Sequence, residues 1–201
     1  MRVLRLRAGE VVSVGDGRGA WRRCLLGTGG RLEPEGDVLR QDRPGPAVTI
    51  AFAITKGDRP ELVVQKLTEL GVDRIVAFQA QRSVARWEGD RAERHLERLR
   101  RVAREAGAQS RRAWLPEVAP LTSLAALLQE PGAAVADPSG EPPSLLRPTV
   151  AVGPEGGFTE EERDLAPAAV RLGPHVLRAE TAAIAAGGLL VAIRAGLVHG
   201  A

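Results

Sequence analysis

Between Thr149 and Gly188 the chain reads TVAVGPEGGFTEEE…LGPHVLRAETAAIAAGG, two glycine-punctuated loops that carry carboxylates and a guanidinium. Residues 149–152 read as a short buried strand. Gly153, Pro154, Glu155, Gly156 and Gly157 then forbid regular structure and let a ligand approach the backbone closely. Thr159 and Glu162 have capping-box spacing, so the open amides of a helix start stand beside that loop, a place for a polar ligand. The second loop repeats the logic: residues 170–172 end a strand, Gly173 and Pro174 turn the chain, and a small-residue helix starts near Thr181. Two such loops predict one shared pocket, with Glu155, Arg178 and Glu180 as its charged candidates. By spacing alone, Arg178 reads equally as a surface arginine answering Glu180, and Glu180 as an acid favoured at a helix N-terminus.

The elements that must position these residues follow from periodicity. Residues 2–7 alternate basic and apolar side chains, residues 11–14 continue in that style, and GDGRG at 15–19 turns the chain before the apolar stretch 21–26, a hairpin pattern. Arg43, Pro44, Gly45 and Pro46 mark a linker. Beyond it strands and helices alternate. Residues 48–54 form an apolar strand; Asp58 is placed to cap a helix with Pro60 at its first position, and Gly71 ends it. Residues 74–78 make the next strand. A helix over 90–107 sets Ala92, Leu96, Leu99, Ala103 and Ala106 on one face, with Arg91, Arg94, Arg98, Arg101 and Arg104 elsewhere. The alternation predicts an α/β fold with a mainly parallel sheet covered on both faces.

With 201 residues the chain can build one good core and a small accessory domain. A net charge of +3 and a pI near 9.9 mildly favour an anionic partner. The 28 basic residues include only two lysines, Lys56 and Lys66, on either side of the helix start at Pro60. A compact ammonium suits a phosphate or a carboxylate there. The single cysteine, Cys24, excludes an internal disulfide and a multi-cysteine metal site. His95, His175 and His199 have no ligand-spaced partner, so no metal is expected. VGDGRGAW leads into strand-like residues rather than a helix, which argues against a dinucleotide loop, and no GxxxxGK[ST] occurs. MRVLRLRAGE lacks an apolar signal segment and no apolar run reaches spanning length, so a cytoplasmic protein without a membrane partner is expected.

GPEGGFTEEE followed by LGPHVLRAETAA resembles the signature of the RsmE family of ribosomal RNA methyltransferases, within the SPOUT, or trefoil-knot, superfamily. KGDRPELVVQKLTELGVDRI from Lys56, QRSVARW from Gln81 and REAGAQSRRAWLPEV from Arg104 resemble its other blocks in the same order. The resemblance covers nearly everything from Ala51 onward. It implies a SPOUT methyltransferase domain over 46–201, preceded over 1–45 by a PUA-like RNA-binding β-barrel that is shorter than the family norm, as though the chain began inside it. It further implies methyl transfer from S-adenosylmethionine to N3 of a uridine in the decoding region of 16S rRNA. A homodimer formed through residues 182–197 would follow, with one subunit's RNA-binding surface near the other's pocket.

Carried onto this chain, the resemblance places the cofactor against Gly153, Glu155, Gly156 and Gly157 on one side. Leu172, Gly173, Pro174, Val176, Leu177 and Ala182 take the other, with Asp137 from a third loop. N3 of uracil is protonated at neutral pH and becomes a good nucleophile once that proton leaves. Arg178 is the candidate to stabilise the uracil anion, and Glu180 or Glu155 the candidate to accept the proton. Arg5, Arg7, Lys56, Lys66, Arg82, Arg86, Gln109, Ser110, Arg111 and Arg112 are the candidates for holding rRNA, largely through phosphates. With no tyrosine and few aromatic side chains, stacking platforms are scarce. The target base is expected to be unstacked and inserted into the pocket. Two positions depart from the family pattern: Ala179, where many relatives carry threonine, and His175, where arginine is common.

Overall fold

A computed structural model describes residues 6–198. Strands β1 (Val11–Gly15), β2 (Ala20–Leu26) and β3 (Leu32–Arg40) form an antiparallel sheet in the order β1-β2-β3, which fits a small barrel-like head. The expected hairpin around GDGRG is present, with the Asp16 carboxylate accepting from the amides of Arg18 and Ala20. Most of the alternation at residues 2–7 lies outside the described residues. Strand β3 is a finding of the structure: all nine of its residues are exposed, so LEPEGDVLR carries no alternation that periodicity could detect.

The head rests on the segment after the second helix. Gly19 and Leu115 exchange backbone bonds with Ala113 and Gly17, and the Trp114 indole donates to the Gln41 carbonyl at 2.8 Å. Gly19, at φ +93°, must be glycine because a Cβ would come within 2.7 Å of the Trp114 ring.

After the linker the chain runs β4 (Thr49–Ala53), α1 (Arg59–Leu70), β5 (Arg74–Gln79), α2 (Gly89–Gln109), β6 (Glu117–Val118), β7 (Thr122–Ser123), α3 (Leu124–Leu128), β8 (Ala133–Glu141), β9 (Thr149–Val152), α4 (Glu160–Asp164), β10 (Ala169–Val170) and α5 (Ala179–Arg194). The sheet order is β10-β8-β9-β4-β5-β6, with β7 also on β5, and every pairing is parallel. Strands β4 and β9 are buried throughout, as a sheet covered on both faces requires. On one face Ile50, Phe52, Leu67, Ile75, Leu99 and Leu190 form the larger core, and on the other Phe78, Val76, Leu127 and Phe158 form the smaller.

Three local expectations are corrected. Asp58 stands at the N-cap of α1, but its side chain makes no cap hydrogen bond, and Pro60 occupies the second helical position, not the first. Helix α5 begins at Ala179 with Arg178 as N-cap, two residues before Thr181, because the first turn needs only backbone continuity and not a hydroxyl cap. The small residues of α5 serve packing inside the chain. Ala182, Ala183, Ala186 and Gly187 are buried, and a Cβ on Gly187 would meet Leu67 at 2.5 Å. Strand β8 crosses β10 equally closely, since a Cβ on Gly140 would lie 2.5 Å from the Ala169 carbonyl carbon.

Candidate functional site

Parallel strands gather their C-terminal loops on one edge of a sheet, and the two glycine loops emerge there from β9 and β10. Gly157, at φ +68°, closes the first loop by donating its amide to the Pro154 carbonyl at 2.8 Å. The capping box is formed: Thr159 accepts from the Glu162 amide at 3.2 Å and Glu162 accepts from the Thr159 amide at 3.0 Å. Glu162 is itself buried, and its other carboxylate oxygen accepts from the Gln81 amide at 2.8 Å, tying this loop to the one after β5. Arg82 adds a second tie by donating to the Gly156 carbonyl at 3.0 Å. Phe158 anchors the loop from beneath, stacked on Phe78 with ring centroids 6.4 Å apart.

A cavity of about 200 Å³ lies between the loops. Of the residues expected around a cofactor, Asp137, Gly153, Glu155, Gly157, Leu172, Gly173, Val176, Leu177 and Ala182 line it. Gly156 and Pro174 do not; Gly156 is turned toward Arg82. Sequence reasoning missed Val152, Phe158 and Arg163 as lining residues, and His175, noted only as a departure, also faces the cavity. Asp137 sits where β8 leaves β9, and Ser139 donates to it through both its hydroxyl (2.7 Å) and its amide (2.9 Å). Those bonds, with Arg163 at 3.7 Å, hold its carboxyl below the usual range, so it is ionised at neutral pH.

Beside this cavity two of the three charged candidates, Glu155 and Glu180, meet at a residue that sequence reasoning did not single out, whereas Arg178 and Glu180 line neither cavity. Arg59, first residue of α1, pairs with Glu155, and its Nε lies 3.9 Å from the Glu180 carboxylate. It thus joins the starts of α1 and α5 to the β9 loop. The Glu180 side chain is only 14% exposed, and its Oε2 is buried with no hydrogen-bond partner among the described residues. Arg178 is exposed and forms no ion pair among the described residues. A second cavity of about 500 Å³ opens over the β4–α1 loop and shares Glu155 as a wall. Among the described residues no three His, Cys, Asp or Glu side chains converge as a metal site would require.

The basic candidates fall in different places. Arg5 lies outside the described residues; Arg7, Lys56, Arg86, Gln109 and Arg111 are exposed. Ser110 donates its hydroxyl to the Ala106 carbonyl at 2.8 Å, and Lys66 pairs with Glu69 at 2.7 Å. Arg112 turns inward and donates to the carbonyls of Thr68 and Val72, both at 2.9 Å, and burial lowers its pKa. Arg82 braces the glycine loop as described. The block 109–112 follows the C-terminus of α2 and touches the end of α1, which puts it at the N-terminal edge of the sheet, opposite the cavities.

Comparison with known proteins agrees with this architecture. A family model described as an RNA methyltransferase domain matches residues 42–191. Ribosomal RNA small subunit methyltransferase E of Mycobacterium bovis is 39% identical over 206 residues, covering 92% of this chain and 79% of its own. The protein of that name from Synechocystis is 36% identical over 208 residues, covering 90% of this chain and 65% of its own. A crystal structure of the Neisseria gonorrhoeae protein of that name, bound to S-adenosyl methionine, superposes with a TM-score of 0.79 at 30% identity, covering 96% of this chain and 86% of that one. The chain therefore belongs to the ribosomal RNA small subunit methyltransferase E family.

Proposed function

We propose that this chain methylates N3 of a uridine in the decoding region of 16S rRNA, using S-adenosylmethionine. The observation that carries the reading is the cavity between the two glycine loops, in a chain 39% identical to a small-subunit rRNA methyltransferase over 92% of its length. The cavity's residues fit that donor. Leu172, Val176 and Leu177 offer apolar surface for an adenine, Gly153 and Gly157 leave the backbone open, and the ionised Asp137 supplies negative charge toward a cationic ligand. When bound, S-adenosylmethionine supplies an electrophilic methyl group on a sulfonium, which N3 takes as the carbon–sulfur bond breaks.

The rest of the chemistry falls to side chains of the chain. Arg178, exposed at the start of α5 and without an ion pair among the described residues, is placed to stabilise negative charge on the uracil oxygens as the N3 proton leaves. Glu180 is not neutralised by a close ion pair among the described residues, Arg59 Nε being 3.9 Å away, so its carboxylate is the better candidate to accept the proton. Glu155 is the weaker one, because Arg59 already neutralises it. Residues 1–45 act as an RNA-binding head and 46–201 as the catalytic domain. Phosphate contacts come from the exposed Arg7, Lys56, Arg86 and Arg111, with Arg5, Gln109 and Ser110 as further candidates, whereas Lys66, Arg82 and Arg112 act mainly through the fold. The enzyme is a cytoplasmic homodimer. The half-buried Ile184 and Leu189 of α5 form part of the interface, and the position of block 109–112 at the far edge of the sheet favours RNA held by one subunit and methylated by the other.

Labelled S-adenosylmethionine supplied with small ribosomal subunits from a strain lacking the modification tests the reading. Nucleoside analysis should give 3-methyluridine. A 2′-O-methyl nucleoside, or no label, would overturn it.

A further inference from the structure

The second cavity, over the loop between β4 and α1, shares only Glu155 with the lining of the first. We propose that it seats the acceptor nucleotide, with Lys56 on the phosphate and the base directed at the shared Glu155 wall. This rests on the methyltransferase reading and adds to it the place of the substrate. Its volume of about 500 Å³ lies within the usual range for ligand pockets. Position supports the assignment. Strands β4 and β9 are neighbours, so their C-terminal loops put the two cavities side by side, and methyl transfer requires donor and acceptor to meet at roughly 3–3.5 Å.

The lining has the chemistry of a nucleotide seat. The Lys56 ammonium is exposed and enters no ion pair among the described residues, and it is one of only two lysines among 28 basic residues. Thr55 brings a hydroxyl, and Val84, 70% exposed on the rim, gives apolar surface for a base. Arg59 is a positioning residue: by pairing with Glu155 and approaching Glu180 it fixes the wall between the cavities and holds both carboxylates near the junction.

Two rim substitutions that do not touch the core test the seat. Val84→Trp fills the mouth and Lys56→Glu reverses the charge; both residues are exposed, so folding should be spared. Each should raise the KM for unmodified small subunits about tenfold, while calorimetric affinity for S-adenosylmethionine stays within about twofold of the parent chain. Arg59→Gln should instead lower kcat, with donor affinity kept. Unchanged KM in both rim variants would overturn the seat and leave the methyltransferase reading standing. A parent chain that binds S-adenosylmethionine but methylates no subunit would remove that reading, and the seat with it.

Discussion

The two ends of the parallel sheet hold ionic clusters of similar composition and opposite character. At the N-terminal end Asp73, 2% exposed, accepts from the Val48 amide at 2.9 Å, pairs with Arg194 and has Arg43 at 3.7 Å. Arg194 also donates to the carbonyls of Pro46 and Gly71, and Arg112 fills the neighbouring carbonyls. Every group there has a partner, as buried charge requires. At the C-terminal end Arg59 serves two carboxylates from a half-buried position, and among the described residues Glu180 keeps an orphan oxygen and Arg178 forms no ion pair. Arginine and carboxylate thus do two jobs in one fold. At the first end the cluster locks helix ends to the linker through bonds to Pro46, Gly71, Thr68 and Val72; at the second, exposed charge stands ready to meet a ligand.

The largest contrast should come from removing the anchor of each cluster. Asp73→Ala leaves the buried Arg194 guanidinium without its counter-charge, and loss of one partner of a buried pair costs about 3–5 kcal/mol. Urea unfolding should show that loss, with donor affinity intact in the protein that remains folded. Arg178→Ala should do the reverse: turnover falls by about 10²–10³ while the unfolding midpoint and the affinity for S-adenosylmethionine hardly move. Equal losses of turnover and affinity would make Arg178 a ligand of the donor and erase the proposed division. A smaller effect is expected at the crossing of β8 and β10, which supports the cavity without charge. Gly140→Ala forces a methyl into the Ala169–Val170 backbone and should cost about 1–3 kcal/mol, seen as a lowered urea midpoint.

Much of the C-terminal end of the sheet is legible in the sequence, because local rules govern it. The capping box at Thr159, the apolar strands β4 and β9, and the apolar face of α2 follow from spacing within a few residues. The head is less legible, since β3 is exposed on both faces and has no buried stripe to betray it. Arg59 is not legible at all. It meets Glu155 across 96 residues only because β9 lies next to β4, an order that periodicity does not carry, and in so arginine-rich a chain one arginine attracts no notice. Arg112 is hidden for the same reason: its block matches an RNA-binding pattern, and only the structure shows its guanidinium donating inward to the carbonyls of Thr68 and Val72.

The smallest expected effect separates the loop's own fold from its tie to the rest of the sheet. Thr159→Ala removes the hydroxyl that accepts from the Glu162 amide, a loss of ~1 kcal/mol typical of an N-cap. The Glu162 carboxylate would still accept from the Gln81 and Thr159 amides, so the glycine loop should keep its place and donor affinity should stay near that of the parent chain. Glu162→Ala, by contrast, strips both amides of their acceptor and frees the loop from the one after β5, so it should weaken donor binding as well as stability. Calorimetry on the two variants decides between them. If Thr159→Ala loses as much donor affinity as Glu162→Ala, the helix start itself shapes the cavity, and the tie to Gln81 is secondary.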